Sequence, residues 1–267
     1  MSQLLITVIQ TNLHWEDKTA NLQMLEEKIN RIKEKTEVVV LPEMFSTGFS
    51  MKPEQLAESM DGETVQWMKK VAAEKKIILT GSVIIKENEN YYNRLIWMLP
   101  NGQYGVYDKR HRFAFAAEDK HYTAGSKRLI ASVKGWKINL QVCYDLRFPV
   151  WARQQSEPEA PEYDVLIYVA NWPERRSLAW KTLLQARAIE NQCYVIGVNR
   201  VGNDGNNIYH SGDSMIIDPM GEILYHKKDE EDVFTVSLDK DHLQSVREKL
   251  PFLKDADRFM IFNEEGE

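Results

Sequence analysis

Three short segments place a thiol or a charge where the neighbouring residues belong to a core. In Val38-Val39-Val40-Leu41-Pro42-Glu43-Met44-Phe45 a carboxylate follows a continuous apolar run. Glu43 is either a loop acid facing water or a partly buried general base, held ready by burial and a neighbouring cation. In Tyr104-Gly105-Val106-Tyr107-Asp108-Lys109-Arg110-His111 a strand runs into a cationic cluster. That cluster is either a solvated charge run or, given the company of Tyr107, Phe113 and Phe115, a means of turning one cation inward. An inward Lys109 can stabilise a developing oxyanion. In Ile138-Asn139-Leu140-Gln141-Val142-Cys143-Tyr144-Asp145-Leu146-Arg147-Phe148-Pro149 a strand ends at a cysteine. A turn and a helix beginning near Pro149 follow, since proline is well tolerated at a first helical position. Such a junction pushes the thiol out of the sheet edge and offers the N–H of Tyr144 as an oxyanion donor. The thiolate is the nucleophile, so Cys143 needs a base or a nearby cation to populate it at neutral pH. Its alternative is a buried structural cysteine. Cys193, in Asn191-Gln192-Cys193-Tyr194-Val195 with no charged neighbour there, takes that alternative.

The elements that would hold these groups follow from periodicity. Leu4 to Ile9, Val38 to Leu41, Ile77 to Ile85, Lys137 to Val142, Val165 to Ala170, Tyr194 to Val198 and Asp232 to Leu238 read as strands. The Val38 run is apolar throughout, which suits a strand covered on both faces. Ala20 to Lys33 is a helix with Leu22, Leu25, Ile29 and Ile32 on one face, and Val65 to Lys75 is another with Val65, Met68, Val71 and Ala72 inward. Ser177 to Asn191 is a third helix, with Leu178, Leu183, Ala186 and Ile189 as inner positions. Leu95–Leu99 and Tyr104–Tyr107 form a hairpin around Asn101-Gly102. Ser214–Asp218 and Glu222–His226 form another around Pro219–Gly221. Strands alternating with helices predict an α/β protein, and the hairpins predict mixed sheets. No linker divides residues 1–267; Ser156 to Glu162 reads as a loop and the tail from Asn263 as frayed.

Composition narrows the function classes. The 267 residues carry 34 basic and 40 acidic side chains, a net charge of −6, which argues against a nucleic-acid or anionic-membrane partner. No apolar run is long enough to span a bilayer, and the N-terminus lacks the pattern of a signal peptide. Two cysteines are too few for a disulfide framework, so a reducing cytoplasmic setting is expected. The chain has no phosphate-binding loop, no dinucleotide fingerprint, no zinc spacing and no G-x-S-x-G elbow, so no cofactor and no metal are expected.

Taken together, the three segments resemble the nitrilase (carbon–nitrogen hydrolase) superfamily. Val40 to Phe45 is similar to its glutamate motif, Tyr107 to His111 to its lysine motif, and Val142 to Pro149 to its cysteine motif. The intervals of about 66 and about 34 residues also fit. The likeness runs from Val8-Ile9-Gln10-Thr11-Asn12 to Gly212-Asp213-Ser214 and Asp218-Pro219-Met220-Gly221, nearly the whole chain. The resemblance implies a four-layer α-β-β-α sandwich of two mixed β-sheets, and association into homodimers through outer helices. It implies attack of Cys143 on an amide or nitrile carbon to form a thioester. Glu43 would then be the general base, and Lys109 with the Tyr144 N–H would form the oxyanion site. Glu118, in the loop after the lysine, would orient the substrate amine or Lys109.

Asn171-Trp172-Pro173-Glu174-Arg175-Arg176, with Ala179-Trp180 and Gln185 to Gln192, resembles the bacterial omega-amidase branch. That branch cleaves the terminal amide of 2-oxoglutaramate or 2-oxosuccinamate and releases ammonia. The substrate's carboxylate calls for a guanidinium, and Arg175, Arg176 and Arg147 are the candidates, one of the first two facing solvent. Phe45, Phe115, Trp172 and Tyr144 are candidate apolar walls. Other branches (nitrilase, carbamoylase, aliphatic amidase) share the triad. A Cys-His hydrolase using His111 or His121, and a non-enzymatic module with a relict site, are the readings from other classes.

Overall fold

The hydrophobic runs of this chain are too apolar to leave a face in water, and they stack into two sheets. The computed structural model describes residues 3–154 and 161–262. The first sheet contains β1 (Gln3–Gln10), β2 (Val38–Val40), β3 (Ile78–Glu87), β4 (Asn90–Met98), β5 (Tyr104–Asp108) and β13 (Asp232–Asp239), in the order β13-β1-β2-β3-β4-β5. The second contains β6 (Leu129–Val133), β7 (Trp136–Val142), β8 (Val165–Ala170), β9 (Tyr194–Asn199), β10 (Val201–Asn203) and β11 (Tyr209–Ile217), in the order β10-β11-β9-β8-β7-β6, with β12 (Ile223–Lys228) also paired to β11. Each sheet has three parallel strands at its centre, β1-β2-β3 and β7-β8-β9, and antiparallel strands outside them. Both sheets are therefore mixed, and the fold is α/β.

Alternation along β2 shows the layering. Val38 and Val40 join Ile6, Val8, Ile138, Leu140 and Val142 in the core between the sheets. Val39 and Leu41 point the other way, onto Leu22, Leu25 and Ile29 of α1 (Lys18–Asn30) and Val65, Met68 and Ala72 of α3 (Glu63–Lys75). A period of two with both faces covered explains an unbroken apolar run. The short helix α2 (Pro53–Leu56) lies between α1 and α3 in the chain. α6 (Ser177–Asn191) covers the second sheet so closely that a Cβ on Gly197 would lie 2.5 Å from Leu184 Cδ1. The layers are thus helix, sheet, sheet, helix. The remaining helices are α4 (Glu118–His121), α5 (Pro149–Ala152) and α7 (Lys240–Lys249).

Two expectations require correction. The buried face of α6 is Trp180, Leu184, Arg187, Ala188 and Asn191, whereas Leu178 and Ile189 are exposed. The apolar spacing misleads because two polar residues are satisfied inside: Arg187 donates to Leu146 O and Glu190, and Asn191 donates to Arg187 O. The hairpin strand expected from Leu95 starts five residues earlier, at Asn90, because β3 pairs with it all the way to Glu87↔Asn90. Residues 155–160 of the expected loop and the tail from Asn263 lie outside the described residues.

Candidate active site

Glu43, Cys143 and Asn171 each follow the C-terminal end of a central parallel strand, β2, β7 and β8, where open α/β sheets present their ligands. Glu43 is fully buried and held by three separate elements. Its Oε1 accepts from Lys109 Nζ at 2.9 Å and from Asn93 Nδ2 at 2.8 Å, and its Oε2 accepts from the Asn171 main-chain N–H at 2.8 Å. The next residue, Met44, has φ +43°, and its N–H donates to Ser82 Oγ at 2.8 Å.

Lys109 stands one residue past β5, its main chain tied to Asn93 O at 3.0 Å. Its ammonium is buried, lies over the Phe49 ring, and donates to Glu43 and to both oxygens of Glu118, at 3.0 and 2.9 Å. Burial alone would weaken the ammonium. The Glu118 and Glu43 carboxylates reverse that and hold it well above the ordinary lysine range. Glu118 opens α4 after the left-handed Ala117, and its carboxylate also accepts from the Phe113 N–H. Burial, opposed by Lys109 and reinforced by Glu43, pushes Glu118 upward. Asn93 Nδ2 bridges the two acids, reaching Glu118 Oε1 at 3.2 Å as well as Glu43.

Cys143 begins a 3₁₀ turn, Cys143–Arg147, directly after β7. Its φ of +44° is left-handed, a strained state for a non-glycine residue and one recurrent at functional sites. The thiol is pushed well above its ordinary range, first by burial and then by the charge of Glu43, while Lys109 acts in the opposite sense. At rest the sulfur therefore keeps its proton, and Glu43 is the neighbouring carboxylate that could take it. That arrangement suits attack coupled to proton transfer.

A cavity of about 240 Å³ opens over these groups. Lys109, Cys143, Tyr144, Arg147, Trp172, Arg175, Arg176 and Phe115 all line it, together with Phe49, Phe113, Asn171, Asp204 and His210. The two neighbouring arginines part company: Arg175 is exposed, whereas Arg176 is half-buried with its guanidinium 4.9 Å from the Phe113 ring. Burial, then Arg175, weakens the Arg176 guanidinium, with Cys143 acting in the opposite sense. Arg147 lies 4.9 Å over Trp172, whose indole N–H donates to Arg176 O. Phe115 stands at the rim, 79% exposed.

Phe45 does not join this wall. It is fully buried on the opposite side, 5.9 Å from Trp67 and against Gly81. In an unbroken strand Glu43 and Phe45 would share a face, but the left-handed Met44 between them breaks the period. His111 pairs with Asp145 and stacks on Phe148, and neither it nor His121 lines the cavity, so the Cys-His alternative loses its base. Among the described residues no group of three or more His, Cys, Asp or Glu is placed to hold a metal, and no helix is long and apolar enough to cross a membrane. Asn93 carried no sequence signal, because it sits in the polar stretch Asn90 to Arg94 ahead of the apolar run. Asn171 stood within a recognised segment but gained a role only when β8 brought it to Glu43.

Comparison with known proteins agrees with this geometry. Residues 5–248 match the family model described as carbon-nitrogen hydrolase. The omega-amidase YafV of Escherichia coli K12 is 42% identical over 266 residues, covering 98% of this chain and 100% of that protein. A 2-oxoglutaramate amidase of Bacillus subtilis is 34% identical, covering 94% and 96%. Among solved structures, XC1258 of Xanthomonas campestris, a CN-hydrolase superfamily protein with an arsenic adduct in its active site, superposes with a TM-score of 0.95. It is 41% identical and covers 98% of this chain and 100% of that one.

Proposed function

The chain belongs to the carbon–nitrogen hydrolase family, as an omega-amidase-like enzyme, and within it we propose a thiol amidase that cleaves the terminal amide of small 2-oxo-dicarboxylate ω-amides, such as 2-oxoglutaramate and 2-oxosuccinamate. One observation carries the proposal: a single cavity is lined by Cys143, by Lys109, whose ammonium is ion-paired to the fully buried Glu43, and by the half-buried Arg176. Among the described residues neither Arg176 nor Arg147 is held in an ion pair with a carboxylate, so their forks can take a substrate carboxylate bidentately.

In this scheme Cys143 Sγ attacks the amide carbon while its proton passes to Glu43. The charge developing on the amide oxygen meets Lys109 Nζ and the Tyr144 N–H. Glu43 then gives the proton to the nitrogen, the C–N bond breaks, ammonia leaves and a thioester remains. Water attacks the thioester carbon as Glu43 takes one of its protons. The C–S bond breaks, the proton returns to sulfur, and the dicarboxylate departs. Glu118 anchors Lys109 from its far side, leaving Glu43 free to shuttle the proton. A free, base-coupled thiol fits a reducing cytoplasm. The exposed Leu178 and Ile189 on the outer face of α6 support a homodimer, which a solution mass equal to one chain would exclude.

The test is ammonia release from 2-oxoglutaramate beside glutamine, a simple aliphatic amide and a nitrile, with Cys143→Ala as control. Preference for the keto-acid amide, lost in the control, is the expected result. Preference for another member, also lost in the control, would move the enzyme to a different branch.

A further inference from the structure

Asp145 is a fully buried carboxylate that the chemistry above leaves unused. Its two oxygens collect four hydrogen bonds, and these come from both catalytic segments. Oδ1 accepts from the His111 main-chain N–H at 2.9 Å and pairs with the His111 imidazole Nδ1 at 2.8 Å. Oδ2 accepts from the Tyr107 hydroxyl at 2.7 Å and from the Val142 main-chain N–H at 3.0 Å. Tyr107 and His111 stand two residues to either side of Lys109, and Val142 immediately precedes Cys143. The frame is closed on its outer side. The Trp151 indole donates to Tyr107 Oη at 2.9 Å, and the His111 ring lies flat on Phe148 with centroids 3.8 Å apart.

We infer that Asp145 is a positioning residue, acting with His111 to lock the Cys143 turn and the Lys109 segment into one frame. The left-handed backbone at Cys143 is unfavourable in isolation and persists only where its surroundings over-determine it. The bond from Val142 to Asp145 supplies that restraint locally. The bonds from Tyr107 and His111 supply it across the interface between the sheets, from residues 38 and 34 positions away. One carboxylate therefore sets the separation of the thiol from the ammonium. A displacement of about 1 Å in such a pair is enough to lower turnover by about 100-fold without any change in substrate binding. This inference rests on the proposed mechanism only in taking Cys143 as the nucleophile; it is independent of the substrate.

The experiment compares Asp145→Asn, His111→Ala and His111→Asn with the unmodified protein. An asparagine at 111 places its Nδ2 as many bonds from Cα as the imidazole Nδ1. It can donate to Asp145 but cannot act as an acid or base. Three quantities are measured: kcat, KM, and the rate of Cys143 alkylation by iodoacetamide, with the labelled residue confirmed by peptide mass. Asp145→Asn is expected to lower kcat by about 100-fold with KM within about three-fold, and to slow alkylation. His111→Ala is expected to lower kcat by about ten-fold, and His111→Asn to recover most of that loss. Wild-type kcat and alkylation in Asp145→Asn would overturn the inference. So would His111→Asn falling as far as His111→Ala, since that outcome assigns the imidazole a proton-transfer role. If Asp145→Asn does not fold, the two His111 variants decide alone. Alkylation needs no substrate. A chain inactive on every amide, yet with Asp145-dependent alkylation, would sink the substrate assignment and leave this one standing.

Discussion

Cys143 and Cys193 are both buried, and burial pushes both thiols above their ordinary range. Everything else about their surroundings differs. Cys143 follows the C-terminal end of a parallel strand, on a left-handed turn, facing a cavity that also holds Lys109. Cys193 precedes the N-terminal end of β9, just after the left-handed cap of α6, with its sulfur 4.0 Å from Arg187 O. Its charged influences, Arg247, Asp164 and Glu190, are weaker than burial, and no carboxylate is hydrogen-bonded to it. Burial by itself makes a thiol inert. A neighbouring base and cation, as Glu43 and Lys109 stand near Cys143, are what the proposed mechanism needs to make the same residue type a nucleophile.

The largest effect that could break this comparison comes from exchanging the two roles. Cys143→Ala is expected to lower kcat by at least about a thousand-fold and leave the thermal midpoint nearly unchanged. Cys193→Ala is expected to leave kcat unchanged and to lower stability by about 1–2 kcal/mol, the effect of removing a fully buried sulfur. Steady-state kinetics and urea titration of both variants check this. Comparable kinetic losses in the two would show that position in the sheet does not separate them.

A smaller effect sharpens the picture of the cavity over Cys143. Arg176→Ala is expected to raise KM for a keto-acid amide by about 10- to 100-fold, the range for a lost hydrogen bond to a charged group. Arg175→Ala is expected to stay within about three-fold, since that side chain is exposed. Equal KM values in the two variants would remove the carboxylate clamp.

The smallest effect extends the burial half of the comparison to a third titratable group. His210 lines the same cavity, and burial, with Arg200 nearby, holds its imidazole down at about 4. Between its ordinary value near 6.5 and that value the unfolded chain binds a proton that the folded chain does not. Stability is therefore untouched above pH 6.5 and falls as pH drops towards 4, by on the order of 3 kcal/mol. His210→Asn keeps a donor for Ile208 O and removes this contribution. Urea midpoints at about pH 7.5 and pH 4.5 test it. An acid slope identical to that of the unmodified protein would mean that folded His210 is already protonated.

Glu43, Lys109 and Cys143 were legible because each breaks a pattern: a charge or thiol stands where an apolar strand has just ended. The central strands were legible for the complementary reason, since a run such as Val38 to Leu41 can only be buried on both faces. Other features were hidden for identifiable causes. Asn93 looks like any polar loop residue until pairing with β3 extends β4 over it. The inner face of α6 includes Arg187 and Asn191, whose donors find carbonyl partners that no periodicity foretells. Phe45 was misplaced because the conformation of Met44 reverses the face.

The sequence by itself determined the α/β alternation, the order of the glutamate, lysine and cysteine segments and the family to which they belong, because these depend on local periodicity and on spacing along the chain. Only the tertiary structure decided which side chains meet. Glu43 and Asn171 lie 128 residues apart and Tyr107 and Asp145 lie 38 apart, yet each pair is within hydrogen-bond distance. It also decided that Arg176 turns inward while Arg175 faces water. Such contacts are set by how two sheets and their helices pack against one another, and a buried polar group is tolerated only where that packing supplies its partner.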